Sequence, residues 1–354
     1  MSIEQLAVKL SELYSGYGFL PYTMSKFEEY ELYLRNKDFL VSDRVLTFTD
    51  TDGKLMALKP DVTLSIIKNT VNDSNDIQKV FYRENVYRPG KNDHGFREIM
   101  QVGLECMGAV DTYCILEVLL LAVKSLKTIS NQCVLDISHM GLVTRLLDEV
   151  GLYGAERLMV LEAIGSKNSH EINNICEKAG VCGKKLAAIS VLSGKPNAVI
   201  PTLDEMFGDV PELNLLKELL IALDKTGTDC VNIDFSVVND MNYYNGIVFR
   251  GFVEGVPEGV LSGGQYDGLM AKMKRSGKAI GFALYPDLLE RIVWQPEETV
   301  DAVLYYDDTA DIFAISAAVE TLSQNGKRVL AQPYREGGHR GICYRLVGNE
   351  VKLM

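Results

Sequence analysis

The chain predicts an α+β fold in which a sheet built from two separated stretches is flanked by helices. Three observations carry this. Strand-type patterning occurs between Phe81 and Gly108 and again from Cys230 to about Trp294. Between them, from Gly141 to about Gly227, apolar residues recur at helical spacing with no strand alternation. The last 60 residues after Trp294 mix one helix with short strands. A length of 354 residues suggests two or three packed units. The expected divisions are 1–140 (first part of the core), 141–228 (helical insertion), 229–294 (second part of the core) and 295–354 (a small α/β unit).

The elements follow in order. SIEQLAVKLSELYSGYG is an amphipathic helix with Ile3, Leu6, Leu10 and Leu13 on one face, and is not a signal peptide. DTDG at Asp50 to Gly53 reads as a hairpin turn, because the remaining ligand spacing of a calcium loop is missing. FYRENVYRPGKNDHGFREIMQVGLECMG, Phe81 to Gly108, reads as two strands joined by a short polar loop. Phe81, Val86, Ile99 and Met100 are core strand residues, and His94 is a solvated loop residue. Arg88 closes the first strand and Arg97 opens the second, a fork suited to phosphate or carboxylate oxygens. Gln101, Gly103 and Glu105 alternate along the second strand and so share a polar face, which marks the floor of a small-molecule site.

Three stretches of the middle block, GLVTRLLDEVGL, ERLMVLEAIG and ELNLLKELLIALDKTG, have helical periodicity with glycine near each end. VNIDFSVV and NGIVFRGFV then return the chain to strands. Tyr243 and Tyr244, if extended, point to opposite faces, leaving one of them to core packing. SGGQYDG is by itself only a glycine-rich loop. In the tail, DAVLYYDD reads as a strand, ADIFAISAAVETLSQNG as a helix closed by glycine, and KRVLAQPY and ICYRLVGNEVKL as strands.

Composition excludes several classes. A net charge of -12 and a pI near 5.0 oppose sequence-independent binding to a phosphate backbone. No apolar run reaches the ~20 residues of a membrane span. Seven cysteines without a C-x-x-C pair and four scattered histidines indicate neither a disulfide framework nor a metal site, and no cofactor is expected. The expected setting is a reducing one, the cytoplasm.

The Phe81 to Gly108 segment resembles motif 2 of the class II aminoacyl-tRNA synthetases, and its FRE-x-x-Q-x-G-x-E run is similar to that of the histidyl-tRNA synthetases. LKPDVT at Leu58 to Thr63 resembles their amino-acid-binding RPEGT loop. NYYNGIVF at Asn242 to Phe249 resembles their histidine-binding segment. GGQYDGL at Gly263 to Leu269, followed by AIGFAL at Ala279 to Leu284, resembles the run into motif 3. The resemblance covers nearly all of residues 1–294 and implies a class II core, a six-stranded antiparallel sheet flanked by helices. It also implies a histidine pocket formed by Asp61, Thr63, Arg88, Gln101, Glu105, Tyr243 and Tyr244, with Arg97 as a candidate anion contact.

The pattern breaks where synthetase chemistry resides. Asn239 stands where the family has the arginine that acts on the activated carboxylate, and Leu288 where motif 3 ends in an arginine against ATP, with Pro286 interrupting the approach. Gly90 replaces a motif 2 glutamate, and Met24 replaces the motif 1 proline. Such arginines typically supply several kcal/mol of transition-state stabilisation. An amino-acid pocket kept while the ATP machinery is lost is similar to the histidyl-tRNA-synthetase-like regulatory subunits of ATP phosphoribosyltransferase. The short tail agrees, since a synthetase's anticodon-binding domain is roughly a hundred residues. That family implies no catalysis, assembly with a short-form catalytic subunit as a hetero-octamer, dimerisation of the core, a requirement for activity and feedback inhibition by histidine in the first step of histidine biosynthesis. The alternative is a divergent adenylate-forming ligase.

Overall fold

The structure, a computed structural model, describes residues 2–40, 44–70, 76–90, 95–237, 243–289, 300–324, 326–334, 342–348 and 350–354. His94, Asn239, Asn242 and Trp294 lie outside them. The chain forms two compact units, residues 3–292 and, together with the first two residues, 293–354.

The first unit opens with α1 (Ile3–Ser15). Its buried side is Leu6, Ala7, Leu10 and Tyr14, whereas Ile3 and Leu13 are half-buried. The expected apolar stripe is therefore turned toward Tyr14. That ring packs edge-on to Phe282 at 5.9 Å, and its hydroxyl lies 3.0 Å from Ser125 Oγ. Burying the phenol here is supported by a hydrogen-bond partner that no helical pattern reveals.

After β1 (Leu20–Pro21), a small antiparallel sheet forms from β2 (Phe27–Glu29), β3 (Thr47–Thr49) and β4 (Leu55–Leu58), with α2 (Tyr30–Arg35) between the first two. The β3–β4 hairpin turns at the expected DTDG. Asp50 Oδ1 accepts from the Asp52 and Lys54 amides at 2.9 and 2.8 Å, the self-bonding that makes aspartate a turn residue. Next come α3 (Thr63–Asn69), whose first five residues are all buried, and the long strands β5 (Ile77–Pro89) and β6 (Phe96–Gly108). They pair over 13 residues in antiparallel register, Arg88 opposite Arg97 and Val80 opposite Glu105.

Helix α4 (Thr112–Ile129) starts at Asp111, whose side chain accepts from the Cys114 amide. Strand β7 (Cys133–His139) follows. The predicted helical block then runs as α5 (Met140–Val150), α6 (Gly154–Gly165), α7 (Ser169–Lys178), α8 (Lys184–Val191), α9 (Pro196–Phe207) and α10 (Pro211–Lys225). A two-residue strand, β8 (Ser193–Gly194), interrupts it, too short to leave an alternation in the sequence. The core resumes with β9 (Val231–Asp234), β10 (Ile247–Val253), β11 (Leu261–Gln265), α11 (Asp267–Lys272) and β12 (Lys278–Leu284).

These strands join in the order β1-β5-β6-β12-β11-β10-β7-β9-β8. Six of them, β5-β6-β12-β11-β10-β7, pair antiparallel throughout, the class II arrangement expected from the resemblance. Among the described residues the sheet nevertheless has nine strands, because β1 and β9 add in parallel to its two ends and β8 closes the far edge. Helices α1 and α4 cover one face, over Leu104, Phe249 and Phe282. The opposite face carries the site.

The second unit has β13 (Ala302–Tyr306), α12 (Ile312–Gln324), β14 (Val329–Pro333), β15 (Ile342–Val347) and β16 (Glu350–Leu353), in the sheet order β14-β13-β15-β16. The ICYRLVGNEVKL stretch folds back on itself as the antiparallel pair β15–β16. Leu304, Ala318, Leu322 and Leu346 form its core. Among the described residues, no helix of the chain is long and apolar enough to cross a membrane.

Candidate ligand-binding site

Strand alternation sets out the floor. Gln101, Gly103 and Glu105 lie on the uncovered face of β6, and register brings Gly281 of β12 beside Glu105 and Tyr82 of β5 beside Gly103. Next to Gly281 stands Gly264 of β11. These glycines are required by what lies on them. A Cβ at Gly281 would collide with Glu105 Oε2, one at Gly103 with the Tyr82 hydroxyl, and one at Gly264 would come within 2.8 Å of Tyr244 Cδ1. The sheet is bare where a carboxylate and two phenols need to rest against it.

Above this floor opens a cleft of about 1200 Å³. It is lined by Asp61, Thr63, Arg88, Arg97, Gln101, Glu105, Tyr243 and Tyr244, so all eight candidate residues border one space. They arrive from the loop before α3 and that helix's first residue, from both long strands and from the turn before β10. Tyr243 and Tyr244 do not divide between two faces as an extended segment requires. Strand β10 begins only at Ile247, and the two rings sit 4.7 Å apart at 66° on the cleft wall.

Glu105 is the centre of the site. It is 2% exposed. Its Oε1 accepts from Thr63 Oγ1 at 2.8 Å and its Oε2 from the Tyr266 hydroxyl at 2.6 Å. Burial pushes its carboxyl up to about 8, opposed by those two hydroxyls and reinforced by the charge of Asp61. Tyr266, itself buried, was missed as a site residue although it belongs to the GGQYDGL run. A tyrosine two residues after the paired glycines, just past the end of a sheet strand, was the available signal, but its partner is 161 residues away.

Two expectations about charge are corrected. Arg88 and Arg97 do not form a free fork. Arg88 donates from Nε to the Pro60 carbonyl at 2.7 Å and lies 3.7 Å from Asp61 Oδ2, so it fastens β5 to the loop before α3. Asp61 in turn is not an open acceptor. Its Oδ1 takes the Leu64 amide at 2.9 Å, at the start of α3. Burial raises the Asp61 carboxyl, and the neighbouring Arg88 guanidinium works against that rise. Behind this loop Lys59, wholly buried, is ion-paired with Glu84, whose other oxygen accepts from the Met24 amide at 3.2 Å.

Further along the sheet from Glu105 the same cleft is lined by Arg250, Ser262, Asp287 and Leu288, and Arg44 also borders it. Leu288 thus faces the space from a short turn of helix at Pro286–Leu289. Beside it, Asp287 Oδ2 accepts from the Met100 amide of β6 at 2.8 Å. The arrangement offers one buried acidic acceptor and an aromatic wall at one end, and an apolar side chain among mixed charges at the other.

The sequence profile described as histidyl-tRNA synthetase matches residues 1–289. A curated relative from Oceanobacillus iheyensis, named ATP phosphoribosyltransferase regulatory subunit, is 25% identical over 331 residues, covering 90% of this chain and 81% of the relative. Among solved structures, one from Bacillus halodurans titled an ATP phosphoribosyltransferase regulatory subunit/histidyl-tRNA synthetase superposes with a TM-score of 0.81 at 23% identity. It covers 95% of this chain and 90% of its own. A chain of the ATP phosphoribosyl transferase (HisG:HisZ) complex from Thermotoga maritima gives 0.62 at 21% identity, with 79% and 96% covered. These two likenesses show the class II synthetase-like fold.

Proposed function

The chain belongs to the histidyl-tRNA synthetase family, and we propose that within it this protein is the non-catalytic regulatory subunit of ATP phosphoribosyltransferase. On this reading it assembles with a short-form catalytic subunit, is needed for that subunit's activity and delivers feedback inhibition by histidine. The observation that carries the reading is the asymmetry of the cleft. At one end Glu105 is held by Thr63 and Tyr266 under a wall of tyrosines. At the other, Leu288 lines the space, the residue that the sequence resemblance sets against the family's ATP-facing arginine.

Physically, a carboxylate in a water-poor site binds an imidazole or ammonium N–H by a charge-assisted hydrogen bond, and the tyrosine rings fix the orientation of a planar ligand. Leucine supplies no counter-charge to a triphosphate. A site that recognises an amino acid without activating it is a sensor. The names of the relatives support the partner, and assembly as a hetero-octamer around dimers of the class II core in the cytoplasm is part of the same proposal.

The test uses the purified full chain and a purified short-form catalytic subunit. Mixed at micromolar concentration, they should co-elute as a large complex with raised phosphoribosyl transfer to ATP, and histidine should inhibit it. The chain alone should show no histidine-dependent ATP–pyrophosphate exchange. Separate elution with unchanged activity, or exchange well above background, sinks the assignment.

A further inference from the structure

Both oxygens of Glu105 are met by hydroxyl groups, those of Thr63 and Tyr266. A hydroxyl can donate or accept by turning, so this pair satisfies either the carboxylate or the neutral acid. A guanidinium or ammonium in their place would admit only the carboxylate. Among the described residues, the surrounding elements add no cation against Glu105. The loop before α3 brings Asp61, a second buried carboxyl, with Arg88 engaged on Asp61 and on the Pro60 carbonyl. Strand β5 brings the Tyr82 phenol, the turn before β10 brings Tyr243 and Tyr244, and β12 brings the bare Gly281. Among the described residues, two carboxyls and four phenols thus share a buried end with one guanidinium, and burial favours the neutral form of the carboxyl that lacks it.

We propose that the pocket takes its amino-acid ligand in exchange for a proton: Glu105 is a neutral acid before binding, becomes a carboxylate when a ligand N–H is seated on it, and releases the proton to solvent. The balance is one proton out for one ligand in. The ligand class follows, an amino acid whose side chain or α-nitrogen presents an N–H donor. An isostere that can only accept gains nothing from the exchange. This inference rests on the amino-acid-pocket reading above.

The experiment is calorimetric titration of the full chain at pH 7 in phosphate and in Tris, buffers of low and high ionisation enthalpy. Two probes are used: L-histidine and 1,2,4-triazolylalanine, whose ring stays neutral throughout the range. For triazolylalanine the difference between buffers should correspond to close to one proton released. Its affinity should rise on the order of tenfold from pH 6.5 to 8 and then level off, as expected when the free site ionises by itself. In E105Q, binding should persist more weakly with no proton released. Binding with equal enthalpy in the two buffers and a flat pH series overturns the proton exchange while leaving the pocket reading intact. A full proton still released by E105Q also overturns it, by assigning the proton elsewhere. Absence of binding by either probe overturns the pocket reading and this proposal with it. If E105Q does not fold, the two buffers and the pH series decide on the native chain.

Discussion

At the residue scale, the site is governed by what one buried carboxyl requires of its neighbours. Gly281→Ala places a methyl group against Glu105 Oε2 and the Leu104 carbonyl, and a backbone oxygen cannot swing away. The expected loss is about 1–3 kcal/mol, the usual range for overpacking a filled core, together with loss of amino-acid binding. Urea midpoints and the titration above measure the two effects. Glu105 also carries a pH signature. Its folded value lies above the unfolded one, so the native state holds the extra proton. Its contribution to stability is therefore fully present below about 4.5 and is lost as pH rises toward 8. Thermal midpoints of the ligand-free chain should fall over that window, and Glu105→Gln should flatten the fall. A wild-type midpoint that climbs from pH 5 to 8, with no flattening in the variant, would contradict the placement of this group.

At the element scale, the loop before α3 is held by ion pairs that join it to β5. Lys59 is wholly buried against Glu84, and its carbonyl accepts the Tyr87 amide at 2.9 Å, while Arg88 reaches back to Pro60. Replacing Lys59 with Met keeps the volume but strands Glu84, whose side chain is 11% exposed. Removing one partner of a buried pair typically costs about 3–5 kcal/mol, so Lys59→Met should unfold at markedly lower urea. The double variant Lys59→Met with Glu84→Gln should recover much of the loss. If the single variant is as stable as the native chain, the pair carries no such weight.

The same elements show what the sequence made legible. The hairpin of β5 and β6 and the shared face of Gln101, Gly103 and Glu105 follow from a two-residue period, a rule that acts within one strand. Helices α5, α6 and α10 follow from a 3.6-residue period in the same way. What stayed hidden depends on distant partners. The Tyr266 bond to Glu105 crosses from β6 to the end of β11, and the turn of Tyr14 into the core depends on Ser125 and Phe282. Arg88 could be placed at a strand end but not assigned to Pro60 and Asp61. Tyr243 and Tyr244 both line the cleft because strand alternation does not apply to them: β10 begins only at Ile247. Strands β1 and β8 are two residues long and contain too little pattern to detect.

At the scale of the whole molecule, a charge of -12 sets the long-range field. Non-specific affinity for nucleic acid arises from basic residues displacing counterions, and an acidic surface opposes that approach. The chain should show no retention of bulk tRNA at 150 mM salt in a filter-binding assay. Retention that weakens steeply with added salt would reveal a basic tract outweighing the overall charge.

The sheet order has a consequence for the chain as it is being made. Strand β6 ends at Gly108, but its second neighbour, β12, begins only at Lys278, beyond the whole helical insertion. On a ribosome adding ~5–20 residues each second, the edge of β6 waits roughly ten to thirty seconds for its partner. Through that interval the strand bearing Glu105 presents unpaired amides and carbonyls to any passing strand. The floor of the cleft is thus left with an open strand edge in the newborn protein, and that edge is sealed only when the last core strand is delivered.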